Sequence, residues 1–292
     1  MNLDLYRRVL AGETLTIVLN PRALWRLTGP DHERYLNGQV TCDVTKLTEG
    51  HVAYGAVCTA KGKMEGDLHI AAHGSEYYLD SDILLRESLG ARLEKFLIAD
   101  DAAFEDVSDS WHLSHVFSTE KPAIPETSFI VKNDRFGLPG YDIWLASTGA
   151  VVIGDSLPSD IVETIRLEHA IPRWGAELTT NTLPPEAGPH MLNAISYTKG
   201  CYVGQETIAR LKSVGHVNRT LVLLQSDSAN VPPPETKLRQ GDKDAGSITS
   251  AGFSPRLEKG IALAYVPYQL AAEGTVFETE GFKLTVTAPL NS

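Results

Sequence analysis

Residues 199–206 place a basic side chain two positions before a thiol, in the order K-G-C-Y-V-G-Q-E. The following stretch, 206–215, has an acid in its first turn, bases in its last turn and a final glycine, and this charge order predicts a helix. Cys201 would then lie near a positive helix end, where Lys199 and backbone N–H groups favour the nucleophilic thiolate. A lone cysteine is more often a small buried residue, and the spacing alone favours that plainer interpretation.

The other cysteines and the histidines give no pattern typical of a metal site. Three cysteines, Cys42, Cys58 and Cys201, form an odd set without a C-x-x-C pair, which argues against disulfides and against a zinc or iron–sulfur cluster held by this chain alone. His69 and His73 fall in a predicted strand, where residues four apart are too distant to chelate one ion. We therefore assign no metal, and any iron–sulfur cluster would belong to a partner.

Composition and charge limit the classes of protein to which this chain can belong. The 292 residues are 42% hydrophobic and 22% charged, which is typical of a globular protein with two or three domains. The net charge of −11 disfavours broad nucleic-acid binding, so an anionic ligand would need a local basic pocket, which residues 199–219 could supply. No apolar run is long enough for a membrane span and the N-terminus lacks signal character, so we expect a cytoplasmic protein.

The first 215 residues alternate short strands with helices. Helical periodicity is clearest over 83–98 and 160–169, and a third helix is predicted over 29–37. Strands are predicted at 13–19, 52–59, 68–72, 77–79, 111–117, 129–132 and 141–146. Strands joined by short turns, with helices between them, favour an α+β fold with mostly antiparallel sheets.

The pattern changes after residue 215. Short apolar strands are separated by glycine turns, without helical periodicity, which predicts a β-barrel or β-sandwich of roughly 75 residues. We place a domain boundary there, with one module over 1–215 and a barrel over 216–292. The proline run at 232–234 is either a linker or a break inside the barrel.

The motif at 199–206, followed by a short basic helix, resembles the signature of the YgfZ family of folate-binding proteins, relatives of the glycine-cleavage T-protein, an aminomethyltransferase. Similar segments follow one another in the same order at 36–44, 60–68, 165–168, 183–188, 246–250 and 254–263. The resemblance implies a two-lobed, mostly antiparallel folate-binding module followed by a small C-terminal β-barrel. It also implies tetrahydrofolate, or a one-carbon derivative of it, as the cofactor.

A reduced pterin presents a ring N–H beside an amino group, and a single carboxylate can accept both. The resemblance places this role on Glu168, although Ala170 stands where the family often has a glycine. The candidate folate-binding residues are Glu168, Lys199, Tyr202, Gln205 and Arg210. Tyr54 and Trp174 are further candidates for walls around the folate ring, and aromatic residues of this kind are also common in ordinary cores.

In this resemblance Asp67 aligns with one of two paired acids of the T-protein, one of which acts on the folate nitrogens during one-carbon transfer, while Gly66 stands at the position of the other. The catalytic candidates are therefore Cys201, Lys199 and Asp67. The missing second acid and the added cysteine distinguish this chain from an aminomethyltransferase.

Together these features predict a tetrahydrofolate-binding protein that assists assembly or repair of iron–sulfur enzymes, including tRNA-modifying ones. Its partners would be folate and iron–sulfur client proteins, and the iron–sulfur role rests on the resemblance, because a fold does not fix a function. Two alternatives stay open: a folate-dependent one-carbon transferase, in which Asp67 would be the working acid, and a noncatalytic interaction module with structural folate. We further expect the barrel to close over the folate pocket and complete it.

Overall fold

The computed structural model describes residues 1–147, 149–213, 215–279 and 281–290. Its α-helices are α1 (Leu3–Leu10), α2 (His32–Gln39), α3 (Arg86–Lys95), α4 (Ser159–Glu168), α5 (Gly188–Asn193) and α6 (Gln205–Ser213). Its strands are β1 (Leu15–Val18), β2 (Arg22–Thr28), β3 (Val52–Cys58), β4 (Met64–His73), β5 (Glu76–Asp82), β6 (Ala103–Asp106), β7 (Trp111–Phe117), β8 (Ser128–Lys132), β9 (Gly140–Ala146), β10 (Asp155–Ser156), β11 (Arg219–Ser226), β12 (Lys237–Gln240), β13 (Lys243–Ser254), β14 (Lys259–Pro267), β15 (Val276–Thr279) and β16 (Phe282–Thr287). No helix in these ranges is long and apolar enough to cross a membrane.

The first lobe is an antiparallel sheet with the strand order β3-β4-β5-β2-β6. Successive side chains of a strand point to opposite faces, and β4 shows this alternation clearly. Leu68 and Ile70 face a core that also contains Leu89 of α3. Asp67 and His69, the alternate residues of β4, therefore point to the other face of the sheet.

The second lobe is a sheet with the order β10-β1-β7-β9-β8, antiparallel except for the parallel pair of β1 and β10. A shared core joins the two sheets, since Leu24 and Tyr78 of the first pack with Leu113 and Trp144 of the second. The predicted α+β class with mostly antiparallel sheets is confirmed.

Strands β11–β16 form a closed barrel in the order β11-β14-β13-β12-β15-β16. Its interior is filled by apolar side chains such as Leu224, Ala264 and Phe277, and closure leaves no edge strand unpaired. The predicted C-terminal barrel is confirmed, and the proline run lies in the connection between β11 and β12. The exact domain boundary near residue 216 stays a prediction.

Helix α4 ends in a Schellman motif that brings the chain back toward the first lobe. The Ile171 N–H donates to the Arg166 oxygen and the Ala170 N–H to the Leu167 oxygen, both at 3.0 Å. Ala170 has a φ of 51°, so an alanine takes the left-handed conformation that glycine adopts at such helix ends. The tight turn, for which the resemblance implies a glycine, is therefore formed in this chain with alanine.

Replacing Ala170 with glycine is expected to raise the free energy of unfolding by up to about 1 kcal/mol. The left-handed conformation costs a residue with a Cβ roughly 1–2 kcal/mol, and the greater freedom of glycine in the unfolded chain offsets part of this gain. Urea unfolding of the two proteins measures the difference. A clear loss of stability in the glycine variant would contradict this account.

Candidate functional site

A cavity lies between the two lobes, where side chains of both sheets meet the segment that follows α4. Its lining residues are Leu19, Arg22, Tyr54, Asp67, His69, Asp82, Arg135, Phe136, Arg166, Ile171, Pro172, Arg173, Trp174 and His190. The empty space is about 540 Å³, part of which is open to solvent. Of the residues that the sequence singled out, Asp67, Tyr54 and Trp174 are brought together here.

Asp67 lines this cavity with a buried carboxylate oxygen that has no hydrogen-bond partner among the described residues. Its Oδ2 accepts a hydrogen bond of 2.9 Å from the Tyr54 hydroxyl, whereas its Oδ1 is buried without a partner among the described residues. Burial raises the pKa of Asp67 to about 6, against the lowering effects of Tyr54 and Arg22. The carboxylate can therefore accept an N–H group from a ligand or exchange a proton close to neutral pH.

Gly66 explains why the cavity has one acid at this point instead of two. A Cβ at this glycine would lie 2.7 Å from Cδ2 of Leu89 and 3.1 Å from Cδ1 of Leu85. The position faces the helix-covered side of β4, away from Asp67, because neighbouring strand residues point to opposite faces. A second carboxylate at residue 66 would enter the apolar core and would not reach the cavity.

Two histidines that the sequence did not assign to the site flank Tyr54. The ring centroids of His69 and His190 lie 4.6 and 5.0 Å from the Tyr54 ring. Burial lowers the pKa of His190 to about 4 and that of His69 well below its usual value, so both rings are neutral at pH 7. The Nδ1 of His69 already accepts a 3.2 Å hydrogen bond from the Asn133 amide, so this ring can offer a ligand its other nitrogen as a donor. The spacing of His69 two residues after Asp67 could have placed it on the same strand face.

Arg135 connects the two sheets behind the cavity. Its Nη2 lies 2.6 Å from Asp80 of β5 and 2.6 Å from Asp142 of β9, and all three side chains are buried. His115 Nδ1 lies 2.8 Å from the Asp142 carboxylate. Burial alone would raise the pKa of Asp142, but Arg135 and His115 lower it well below its usual range. The pairing of these charges holds the two lobes around the cavity.

Two further arginines that line the cavity differ in how available they are to pair with a ligand. Arg166 is buried, with an ion pair of 3.0 Å to Glu177 and another of 2.7 Å to Glu163. Arg173 is exposed, and its Nε lies 3.8 Å from Glu163. An exposed guanidinium at the rim can pair with a ligand carboxylate in solvent-accessible space.

Glu168 is not among the residues that line this cavity. It is buried between α1, α4 and the barrel, where it accepts hydrogen bonds of 2.7 and 2.9 Å from the Tyr6 hydroxyl and of 2.5 Å from Ser254. Arg166, two residues earlier on the same helix, points to the cavity side instead. The assignment of Glu168 to the pterin ring therefore stays a prediction.

The barrel contributes none of the described lining residues, which all lie between positions 19 and 190. It packs behind α4 instead, where the Ser250 hydroxyl donates a 2.5 Å hydrogen bond to Oε1 of Glu177. Oε2 of Glu177 accepts from Arg166, which lines the cavity. The expectation that the barrel completes the pocket is wrong for this cavity, because the barrel supports one wall from outside.

Cys201 lies at the surface, four residues before α6, and does not line the cavity. Its neighbour Tyr202 is buried in a core shared with Tyr54 and Trp174. Cys42 and Cys58 are buried, and burial raises the pKa of both thiols to about 12. Cys201 is thus the accessible thiol of the three, as its assignment as the reactive group requires.

The remaining candidates from the motif also lie away from the cavity. The Lys199 ammonium donates hydrogen bonds to three backbone carbonyls of the segment 37–42, and burial lowers its pKa to about 8, which leaves it protonated at pH 7. The Gln205 side chain lies 3.4 Å from the Gly200 oxygen, and Arg210 is exposed on α6. The folate-binding roles of these residues stay predictions.

Comparisons with known proteins agree with this architecture. Residues 219–290 match the family model of the glycine cleavage T-protein C-terminal barrel domain. The chain is 28% identical to the tRNA-modifying protein YgfZ of Aliivibrio fischeri (strain MJ11), over 90% of this chain and 87% of that protein. It is also 28% identical to the protein of the same name from Cronobacter sakazakii, over 90% and 88% of the two chains.

Among solved structures, the glycine cleavage system aminomethyltransferase T from Bartonella henselae superposes with a TM-score of 0.85. That match has 18% sequence identity and covers 97% of this chain and 88% of the other. The T-protein fold and the resemblance to YgfZ proteins that the sequence indicated are confirmed.

Proposed function

We propose that this protein binds tetrahydrofolate, or a one-carbon derivative of it, in the cavity between its two lobes. The observation that carries the proposal is the unpartnered, buried Oδ1 of Asp67 inside that cavity. The N–H groups of a reduced pterin would supply the missing donor, because a carboxylate accepts such groups in strong, charge-assisted hydrogen bonds. The rings of Tyr54 and Trp174 can contact the folate rings, and Arg173 at the rim can pair with the glutamate tail.

The protein acts in the cytoplasm in the assembly or repair of iron–sulfur enzymes, including enzymes that modify tRNA, and Cys201 is its reactive group. The name of the two relatives, tRNA-modifying protein YgfZ, supports the link to tRNA modification. The iron–sulfur role follows from the resemblance of the motif at 199–206. The exposure of Cys201 is consistent with a reaction at the surface of a client protein.

A second candidate function is folate-dependent one-carbon transfer. The T-protein fold and the pKa of Asp67, which burial raises to about 6, favour it, since an acid that titrates near neutral pH suits proton transfer. Conversion of tetrahydrofolate in the presence of formaldehyde tests it. A rate above the uncatalysed reaction that disappears in Asp67→Asn would establish the transferase, and its absence would favour the maturation role.

The variant Cys201→Ser is expected to bind tetrahydrofolate with the affinity of the parent and to fail in cells. The serine removes the nucleophile at a surface position outside the cavity, so ligand binding and folding should not change. The measurements are a folate titration and the activity of iron–sulfur tRNA-modifying enzymes in cells that lack the chromosomal gene. Full restoration of those activities by Cys201→Ser would rule out the assigned role of the thiol.

A further inference from the structure

The Lys199 ammonium is held at the C-terminal end of α2. Its Nζ lies 2.6 Å from the carbonyl oxygen of Asn37, 2.9 Å from that of Val40 and 2.5 Å from that of Cys42. An ammonium group has three N–H donors, so these three carbonyls account for all of them. The C-terminal end of a helix also carries the negative end of the helix dipole, which attracts a cation.

The chain is anchored again directly after the cysteine. The Val203 N–H donates a 3.1 Å hydrogen bond to the Gly38 oxygen, and the Tyr202 side chain between the anchors is only 6% exposed. Gly204 has a φ of 90°, and a Cβ there would lie 2.7 Å from the Thr59 oxygen, so the loop lies closely against the turn after β3. Cys201 is thus an exposed residue between two fixed points.

The same segment of the first lobe also holds the chain before the motif. The Thr41 hydroxyl donates to the Ala194 oxygen at 2.9 Å, and the Thr41 backbone carbonyl accepts from the Ser196 N–H at 2.9 Å. The Lys199 N–H in turn donates to the Ser196 hydroxyl at 3.3 Å. Residues 37–42 belong to a segment that resembles the family, and they form a backbone platform for the loop that carries the thiol.

We propose that Lys199 is a positioning residue for Cys201, which fixes the loop on the platform of residues 37–42 so that the thiol is presented in one orientation. The inference rests on the proposed role of Cys201 and assigns Lys199 a different task from the electrostatic support that its sequence position suggests. Because the three donors of Lys199 are used by backbone carbonyls, the ammonium holds the loop on the platform and has no N–H left to donate to the thiolate.

The variant Lys199→Met keeps the length of the side chain and removes its donors. Lys212→Met is a matched control, because Lys212 is an exposed lysine of α6 whose Nζ lies 3.7 Å from the centroid of the Tyr197 ring. In Lys199→Met, hydrogen exchange at the Val203 amide is expected to be faster by at least about tenfold, since charge-assisted hydrogen bonds are among the stronger ones. In Lys212→Met it is expected to be unchanged.

Alkylation of Cys201 separates a positioning role from a counter-ion role. A counter-ion favours the anionic reagent iodoacetate over neutral iodoacetamide and shifts the pH profile of the reaction to lower pH. We expect the ratio of the two rates and the midpoint of the profile to be the same in Lys199→Met as in the parent, measured on the peptide that contains Cys201. A fall in the ratio together with a rise in the midpoint would overturn the proposal.

In cells, Lys199→Met is expected to lose the activity of iron–sulfur client enzymes as Cys201→Ser does. If Lys199→Met does not fold, Lys199→Gln, which keeps an amide donor, replaces it in each measurement.

Two results would refute the positioning role. One is an unchanged rate of hydrogen exchange at the Val203 amide, and the other is full cellular activity of the Lys199 variant when Cys201→Ser is inactive. Full activity of Cys201→Ser would refute the proposed function instead, and exchange and alkylation would still decide whether Lys199 anchors the loop.

Discussion

The variant Asp67→Asn is expected to bind tetrahydrofolate roughly ten to a hundred times more weakly than the parent. The amide removes the charge of the carboxylate and presents an NH₂ group to the pterin, so one charge-assisted pair of about 1.5–3 kcal/mol is lost. Titration calorimetry under anaerobic conditions at pH 7.5 measures the affinity. Unchanged binding would exclude Asp67 as the ligand-binding acid.

The same variant is expected to be more stable than the parent, by on the order of 3 kcal/mol at pH 7. Burial raises the pKa of Asp67 to about 6, against about 3.9 in an unfolded chain, and each unit corresponds to about 1.4 kcal/mol. The folded state therefore holds the proton more tightly than the unfolded chain does. The destabilisation caused by ionisation of Asp67 grows as the pH rises from about 4 to about 6, and it stays constant above about pH 6. Urea unfolding should show no gain for Asp67→Asn near pH 4 and the full gain above pH 6.

Glu168→Gln is the matched control for this experiment, since it makes the same carboxylate-to-amide change outside the cavity. It is expected to keep the affinity for tetrahydrofolate and to lower the free energy of unfolding, because the Tyr6 and Ser254 hydroxyls both donate to this carboxylate. If Glu168→Gln loses the ligand and Asp67→Asn keeps it, Glu168 is the pterin-binding acid that the sequence predicted, and the site lies at the junction of α1, α4 and the barrel.

The variant Arg135→Met is expected to lower the free energy of unfolding by about 3–5 kcal/mol at pH 7. It leaves Asp80 and Asp142 buried with too little positive charge, and ions removed from water without a partner are strongly destabilising. Because the pKa of Asp142 is held below that of an unfolded aspartate, this pairing stabilises the fold above about pH 4 and is lost as the pH falls further. The difference between parent and variant should therefore shrink toward pH 3.

Arg34→Met is a suitable control for this loss. Arg34 also lies near two acids, Asp31 at 3.1 Å and Asp100 at 2.8 Å, but its side chain is 67% exposed. Exposed pairs of this kind contribute little, because water screens them. An equal effect of the two arginine variants would mean that the buried bridge between the lobes does not stabilise the protein.

Much of the fold could be predicted from the sequence because its signals are local. The strand at 111–117, the helix at 160–169 and the glycine turns of the barrel have a periodicity that neighbouring residues alone produce. The sequence pattern did not predict strand β2, because this strand is buried on both faces. Trp25 faces the core of the first sheet and Leu24 faces the second sheet, so the strand lacks the alternation of apolar and polar residues that marks a half-buried strand.

The sequence by itself determined which residue types were present for chemistry: an acid at Asp67, an aromatic residue at Tyr54 and a thiol at Cys201. Only the tertiary structure decided which of them meet. Lys199 and Asn37 are 162 positions apart, so no local spacing shows that the ammonium lies on the end of a helix. The burial of Glu168 by α1 and the barrel is likewise set by packing between distant segments, which a local sequence pattern does not encode.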